Sequence, residues 1–534
     1  MDIDSLPFKE TGYFSNLICD YIKADSTSKK LYNNYPNSAG FKEQLKEKEA
    51  SFPHKNRLVL HEALVAQYKD FNASDRTLEH ISSLKDSSTF TIVTGHQLNL
   101  FTGPLYFLYK IISTINLTEQ LKNDFPDNDF VPVYWMATED HDFDEINYFN
   151  FQGKKLQWNK NASGGVGRLK TEGLEEVFQI FANQLGGSSN ALELKQLFQK
   201  AYLEHSTLAA ATRFLANELF GKYGLVIVEG DDSSLKRLLI PYVKKDILEQ
   251  KAYTAVNETI NFINGLGKGY PIQVNPREIN YFYLKDGLRE RIIKHDANYV
   301  VNNTTISFTA EALLKELEEH PERFSPNVIA RPLYQEVILP NLCYIGGGGE
   351  IAYWLELKAA FETVQVPFPI LLLRNSALVI SKKQLEKLDK IQLSVKDLFL
   401  KQNSLINKKI REISNIEIDF APQKELLEKQ FKDLYTLAEQ TDKSFLGAVK
   451  AQEVKQKKGL DHLEKRLLKA QKIKLKDQVI RMTEIQNSLF PGQSLQERNL
   501  NFSELYLAYG ETLIPTLFKA LNPLKQEFVI LTTA

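Results

Sequence analysis

The stretch TIVTGHQLNLFTGPLYFLYK, residues 91–110, followed by VPVYWMATEDHDFDEI, residues 131–146, decides the fold. Ile92 and Val93 close a short apolar run, and Gly95 breaks it. Gly103-Pro104 predicts a helix start, because an early helical proline gives up an N–H that would lack a partner there anyway. Leu105, Leu108, Ile111, Ile112 and Ile115 recur at three- and four-residue spacing and predict the apolar face of that helix. Val131–Met136 is apolar throughout, as a strand covered on both faces should be. Strand, helix and strand in succession form a βαβ unit, whose parallel strands need such a crossover. The expected fold class is therefore α/β, a Rossmann-like parallel-sheet core with connecting insertions. Open parallel sheets bind ligands beyond the carboxyl ends of their strands. Two polar clusters, Thr94-Gly95-His96-Gln97 and Glu139-Asp140-His141-Asp142, fall at that edge.

Outward from this unit, residues 1–86 read as mostly helical, with a fair amphipathic helix over residues 54–71. Residues 148–158 read as a hairpin turning at Gln152-Gly153, and NASGGVG, residues 161–167, as a plain surface loop. Leu225–Val228 predicts another strand, ending in Glu229-Gly230-Asp231-Asp232, where Asp231 or Asp232 is suited to cap the next helix. Lys285-Asp286-Gly287 marks a second hairpin. The stretch SPNVIARPLYQEVILPNLCYIGGGGEIAYWLELKAAF, residues 325–361, reads as a helix over 328–338, a strand over 342–345, four glycines and a helix over 350–361. A strand, a glycine turn and a helix N-terminus together favour anions. The spacing here is neither a P-loop nor a dinucleotide fingerprint.

From about residue 381 to 490 the composition shifts to Lys, Glu, Gln and Leu. Leu427, Phe431, Leu434, Ala438, Thr441, Phe445 and Ala448 alternate at four and three residues, a heptad seam, with a break expected near Gly459. The division expected is a core over 1–380 with an insertion at roughly 150–310, a coiled-coil arm over 381–490 and a returning segment over 491–534. An apolar seam on a charged helix must be covered, and a homodimer through the arm is expected.

Composition narrows the function. A chain of 534 residues with 43% hydrophobic and 25% charged content reads as a soluble protein of more than one domain. A formal net charge of −1 argues against a nucleic-acid partner bound through a large basic face. No apolar run reaches membrane-spanning length and MDIDSLPFKE lacks a signal pattern, so no membrane partner and a cytoplasmic location are expected. Cys19 and Cys343 alone cannot build a disulfide framework or a multi-cysteine zinc site within one chain.

The candidate catalytic residues are His96, Asp140, His141 and Asp142. Six ionisable groups, Glu139 to Asp142 with Asp144 and Glu145, crowd directly after an apolar strand, where they can orient an amine or supply a base. His141, flanked by carboxylates, is expected to hold its proton, and His96 is expected to converge with this cluster. Asn327, Arg331 and Gln335 lie four residues apart on one helix face, and Arg331 suits bidentate capture of a carboxylate or phosphate. The candidate substrate- or nucleotide-binding set is Thr94, Gly95, Gln97, Gly103, Glu139, Glu145, Asn327, Arg331, Gln335, Gly346, Gly347, Gly348, Gly349, Glu350, Tyr353 and Trp354. No metal ligands are assigned.

The chain resembles the bacillithiol-synthesis cysteine-adding enzymes (BshC). The resemblance rests on the three stretches quoted above, with FPHKNRLVLHEAL at 52–64 and LFPGQSLQERNLNF at 489–502, and spans essentially the whole length. It implies a core akin to class I nucleotidylyltransferases and a coiled coil that mediates dimerisation. It also implies a ligase that adds L-cysteine to glucosaminyl-malate through an activated cysteinyl carboxylate, with ATP or another adenine nucleotide as activator. The alternative reading is a nucleotide-binding dimeric scaffold without turnover of its own.

Overall fold

The computed structural model describes residues 2–533. The chain divides into two compact units: residues up to Leu378 together with Gln496–Leu531, and Val379–Leu495 together with the last few residues. In the first unit, five strands form one sheet: β1 (Thr89–His96), β2 (Asp129–Met136), β3 (Val226–Glu229), β4 (Asn341–Gly346) and β5 (Ile370–Leu373). Their order is β5-β4-β1-β2-β3 and every neighbouring pair is parallel. The α/β Rossmann-like class is therefore correct. β1 is buried at all positions, which is why its sequence shows no alternation. Phe90 and Ile92 of β1 pack with Phe130, Leu342, Ile345, Ile370 and Leu372 into one core.

Chain order sets the position of the site. The chain runs from β1 to β2 to β3 on one side, then crosses back to lay β4 on the other side of β1. Strand order thus reverses between β1 and β4, and ligands of doubly wound sheets bind at such a switch point. The carboxyl ends that flank it are Gly95-His96 and Gly346-Gly347. Four helices matter there or beside it: α1 (Tyr106–Asp124), α2 (Ser233–Glu249), α3 (Ala330–Ile338) and α4 (Gly348–Trp354). The helix expected over 350–361 is two pieces, α4 and Lys358–Thr363.

The insertion holds an antiparallel sheet in which Tyr281–Lys285 pairs with Leu288–His295 around the expected turn. The hairpin of Tyr148–Phe151 and Lys154–Gln157 also forms. The NASGGVG segment is not a plain surface loop. Gly164 to Gly167 are buried, Gly167 N donates to Thr138 O at 2.8 Å, and a Cβ at Gly167 would meet the Thr138 side chain at 2.5 Å. Its glycines serve backbone packing against the end of β2.

Two buried carboxylates hold the segment leading into the insertion sheet. Glu356 accepts from Gln273 N and Val274 N at 2.7 and 3.2 Å, and Asp246 accepts from Asn280 N at 2.8 Å. Burial pushes Glu356 up to about 7 and Asp246 up to about 6. A carboxyl that binds its proton more tightly folded than unfolded makes stability fall as pH rises from its unfolded value, 4.5 for Glu356, through its folded one. Glu356→Gln should therefore flatten the pH dependence of stability in that window and gain on the wild type as pH rises. Urea denaturation at several pH values between about 5 and 7.5 measures this; parallel pH profiles for the two proteins would contradict it.

In the second unit, α5 (Ala421–Ala438) and α6 (Lys443–Lys474) form an antiparallel hairpin. Its register is fixed by Lys424–Asp461, Glu428–Lys457 and Tyr435–Glu453 contacts. The heptad over 427–448 is not one helix. α5 ends at Ala438, Thr441 lies in the turn, and Asp442 caps α6 by accepting from Ser444 N and Phe445 N. Gly459 does not break α6. Phe431, 4% exposed, is covered inside the hairpin with Ala438 and Val449, whereas Leu434 and Phe445 are 40% and 41% exposed. Among the described residues no helix is long and apolar enough to cross a membrane.

Candidate active site

At the end of β1, Lys110 reaches back from α1. Its Nζ donates to Gly95 O at 2.6 Å and meets the Glu350 carboxylate at 2.6 Å. Glu350, at the start of α4, also accepts from Gly347 N at 2.8 Å and from Tyr344 Oη at 2.9 Å. Burial pushes Lys110 down, and Glu350 partly offsets it. Burial alone would raise Glu350, but Lys110, Gly347 N–H and Tyr344 together hold it below its ordinary value. The glycine turn is thus not a simple anion cradle: the chain's own carboxylate takes the Gly347 N–H. Thr94 ties the strands, its Oγ1 donating to Ile345 O at 2.8 Å.

Arg331 stands over this network. Its guanidinium faces the rings of Trp135, Tyr344 and Trp354 at 5.8, 5.7 and 5.9 Å. Nη1 donates to Gln335 Oε1 at 3.2 Å, and Tyr353 is a further hydrogen-bond partner. Gln335 is oriented in turn by donating to Glu336, which is buried against Lys48 at 3.0 Å. Arg331 packs against the end of β1, since a Cβ at Gly95 would lie 3.9 Å from Nη1. Arg374 follows β5, lies 4.8 Å over the Tyr106 ring and donates to Glu497 at 2.8 Å. Trp354 stacks on Tyr344 at 4.4 Å.

Four buried polar atoms here have no hydrogen-bond partner among the described residues: His96 Nε2, Arg331 Nη2, Arg374 Nε and Trp354 Nε1. Native interiors rarely leave such groups unpaired, and a cluster of them calls for a ligand or ordered water. His96 is buried against Tyr106 and Phe107 and hydrogen-bonds the Thr102 backbone. Burial holds its imidazole well below the usual range, and Lys110 and Arg374 push the same way. It is a neutral ring with one free nitrogen. Gly103, at φ +62°, ends the left-handed turn Phe101-Thr102-Gly103, where a Cβ would strike Asn99 at 2.5 Å.

The acidic cluster after β2 does not converge on His96 as expected. It disperses. Glu139 turns inward to Lys236 of α2 at 2.5 Å, while Asp231 meets Lys236 at 3.1 Å and Arg168 at 2.8 Å. Asp140 accepts from Gln97 Nε2 at 2.9 Å and from His141 N at 2.7 Å. Burial would raise it, but these hydrogen bonds hold it well below the usual carboxylate range. Glu145 accepts from Gln97 as well, at 2.9 Å. Asp142 and Asp144 are exposed, and Asp142 makes no side-chain cap. His141 Nδ1 lies 2.6 Å from Arg289 Nη1 and 3.6 Å from Asp140 Oδ1. Asn327 is a cap rather than a face residue, accepting from Ile329 N and Ala330 N because α3 begins only at Ala330.

Sequence reasoning missed Lys110, Tyr344, Arg374 and Glu497. A lone lysine on the buried face of an otherwise apolar helix was the available signal for Lys110. Arg374 carried the same signal as His96, a polar residue directly after an apolar strand. Among the described residues no group of three or more His, Cys, Asp or Glu side chains is placed to hold a metal ion.

Residues 1–375 match the family model "Bacillithiol biosynthesis BshC, N-terminal Rossmann-like domain", and residues 377–533 match its C-terminal coiled-coil domain. Relatives named "Putative cysteine ligase BshC" include one from Christiangramia forsetii, 58% identical with 100% of this chain and 99% of that one covered. One from Flavobacterium johnsoniae is also 58% identical, with both chains covered in full, and one from Bacillus cereus is 28% identical with 94% of each covered. A solved Campylobacter jejuni chain described as a "putative arginyl tRNA synthetase" matches at 11% identity over 85% of this chain and 99% of that one. Its TM-score of 0.21 carries no argument. The chain belongs to the bacillithiol biosynthesis BshC family.

Proposed function

We propose that this chain is a cysteine ligase, forming the amide between the carboxyl of L-cysteine and the amine of glucosaminyl-malate at the end of bacillithiol synthesis. The name shared by its relatives supports the reaction class. The observation that carries the reading is Arg331, a buried guanidinium at the switch point, fixed by Gln335 and three rings, with Nη2 free to hold a carboxylate. A carboxylate does not react with an amine unaided. ATP or another adenine nucleotide would supply the activation, and Arg374 Nε is the kind of unpaired donor a phosphate needs. The remaining work falls to the chain. Lys110 and Glu350 fix the ends of β1 and β4 relative to each other, and the free Nε2 of neutral His96 can accept a hydrogen bond from the attacking amine and orient it.

Incubating the protein with cysteine, glucosaminyl-malate and ATP should yield the thiol product, detected by mass. Absence of product with every nucleotide tried would remove the reading. We further propose that the arm joins two copies through the exposed apolar residues of α5 and α6. Leu434→Glu with Phe445→Glu should give a folded monomer by light scattering. Phe431 is left unchanged because the hairpin itself covers it. A double variant that stays dimeric would place the interface elsewhere.

A further inference from the structure

A cavity lies away from the switch point. It measures about 940 Å³ and opens beside β3, at the outer edge of the sheet. Small-molecule sites occupy roughly 300–1,000 Å³. Glu229, the last residue of β3, lines it. Pairing places His96, Met136 and Glu229 at one level across β1, β2 and β3. Neighbouring strands lie about 4.8 Å apart, so the cavity begins about 10 Å from the end of β1.

Apolar and polar groups both line it, and several of its charged side chains are held in place. Arg213 is buried in the wall, donating to Ile227 O at 2.9 Å and Gln67 Oε1 at 3.1 Å, and lies 3.8 Å from Glu229 Oε2. Arg168 bridges Asp231 and Asp286 at 2.8 and 2.9 Å, joining the sheet end to the insertion hairpin. Lys and Arg side chains line the space in the same number as Asp and Glu, with His205 beside them. A balanced lining gives no net field to attract a bare anion or cation. Charged groups held in place still donate and accept stronger hydrogen bonds than neutral ones. That combination suits hydroxyl groups, which both donate and accept.

We infer that this cavity docks the hydroxyl-rich sugar portion of the amine-bearing acceptor, which from there extends along the carboxyl edge of the sheet toward β1. The inference rests on the ligase reading, in which an amino sugar accepts cysteine. The cavity supplies the contacts and the switch point supplies the chemistry.

Calorimetric titration of the full-length protein with glucosaminyl-malate tests it. Ala210→Trp fills the cavity from a partly exposed helical position, and Glu229→Gln keeps shape while removing charge. Each variant should bind the acceptor about ten-fold more weakly, or worse, than the wild type. Glucosamine in excess should compete and malate should not. Wild-type affinity in a folded Ala210→Trp variant overturns the inference, as does failure of the wild type to bind the acceptor, or full competition by malate. If Ala210→Trp does not fold, Glu229→Gln decides. Weakened binding in the variants without amide formation by the wild type would leave the cavity assignment standing and the ligase reading lost. Amide formation with binding indifferent to both variants would do the reverse.

Discussion

Arg331→Lys should lower kcat/KM for cysteine by roughly 10²–10³-fold, the scale seen when one fixed donor to a reacting group is lost. Charge is kept, so the effect isolates geometry. Lysine cannot present two N–H groups in one plane, nor can it hold the Gln335 contact and reach a substrate oxygen with a second rigid donor. The three rings around Arg331 suit a flat guanidinium and not a compact ammonium. Steady-state kinetics with mass detection of the product measures the change, and a drop under about three-fold would mean that Arg331 does not grip the substrate.

Glu350→Gln should destabilise the first unit by about 3–5 kcal/mol, because it strands Lys110 as a buried, uncompensated charge. Among the described residues Lys110 otherwise donates to Gly95 O alone and its side chain is buried, whereas that of Glu350 is 27% exposed. Trp135, Trp158 and Trp354 all belong to the first unit, so tryptophan fluorescence during urea denaturation follows that unit alone. Adding Lys110→Met to Glu350→Gln should recover much of the loss, since removing both partners leaves no orphaned charge. A single variant as stable as the wild type would show that the pair carries no such coupling.

The strands were legible because a parallel sheet writes itself as apolar runs, and the switch point followed from glycines and polar residues at the ends of β1 and β4. What the sequence hid depends on pairs far apart in it. Arg374 meets Glu497, 123 residues on, and Lys110 meets Glu350, 240 residues on. No local pattern encodes such partners. The acidic run after β2 looked like one site because spacing along a chain says nothing of direction: Glu139 turns to Lys236 and Asp142 to water. Asn327 was misread by the position of a helix start, since three residues separate a capping side chain from one on the helix face. The heptad failed for a similar reason. Four-and-three spacing runs on through the turn between α5 and α6, where the chain reverses and the helix does not.

The strained turn after β1 has a bearing on how the protein is made. Asn501 Nδ2 donates to Phe101 O at 2.8 Å and to Gly103 O at 2.6 Å, partners 400 and 398 residues earlier. Leu105 N is held by Leu500 O at 2.7 Å. On the ribosome, β1 and α1 emerge long before these anchors exist. At about 5–20 residues per second the wait is roughly 20–80 s, during which Phe101 and Thr102 must keep left-handed backbones without their clamp. The nascent chain therefore carries an unfinished switch point until Leu500 and Asn501 are translated, and a truncation before residue 501 leaves the loop beneath His96 without the groups that hold its shape.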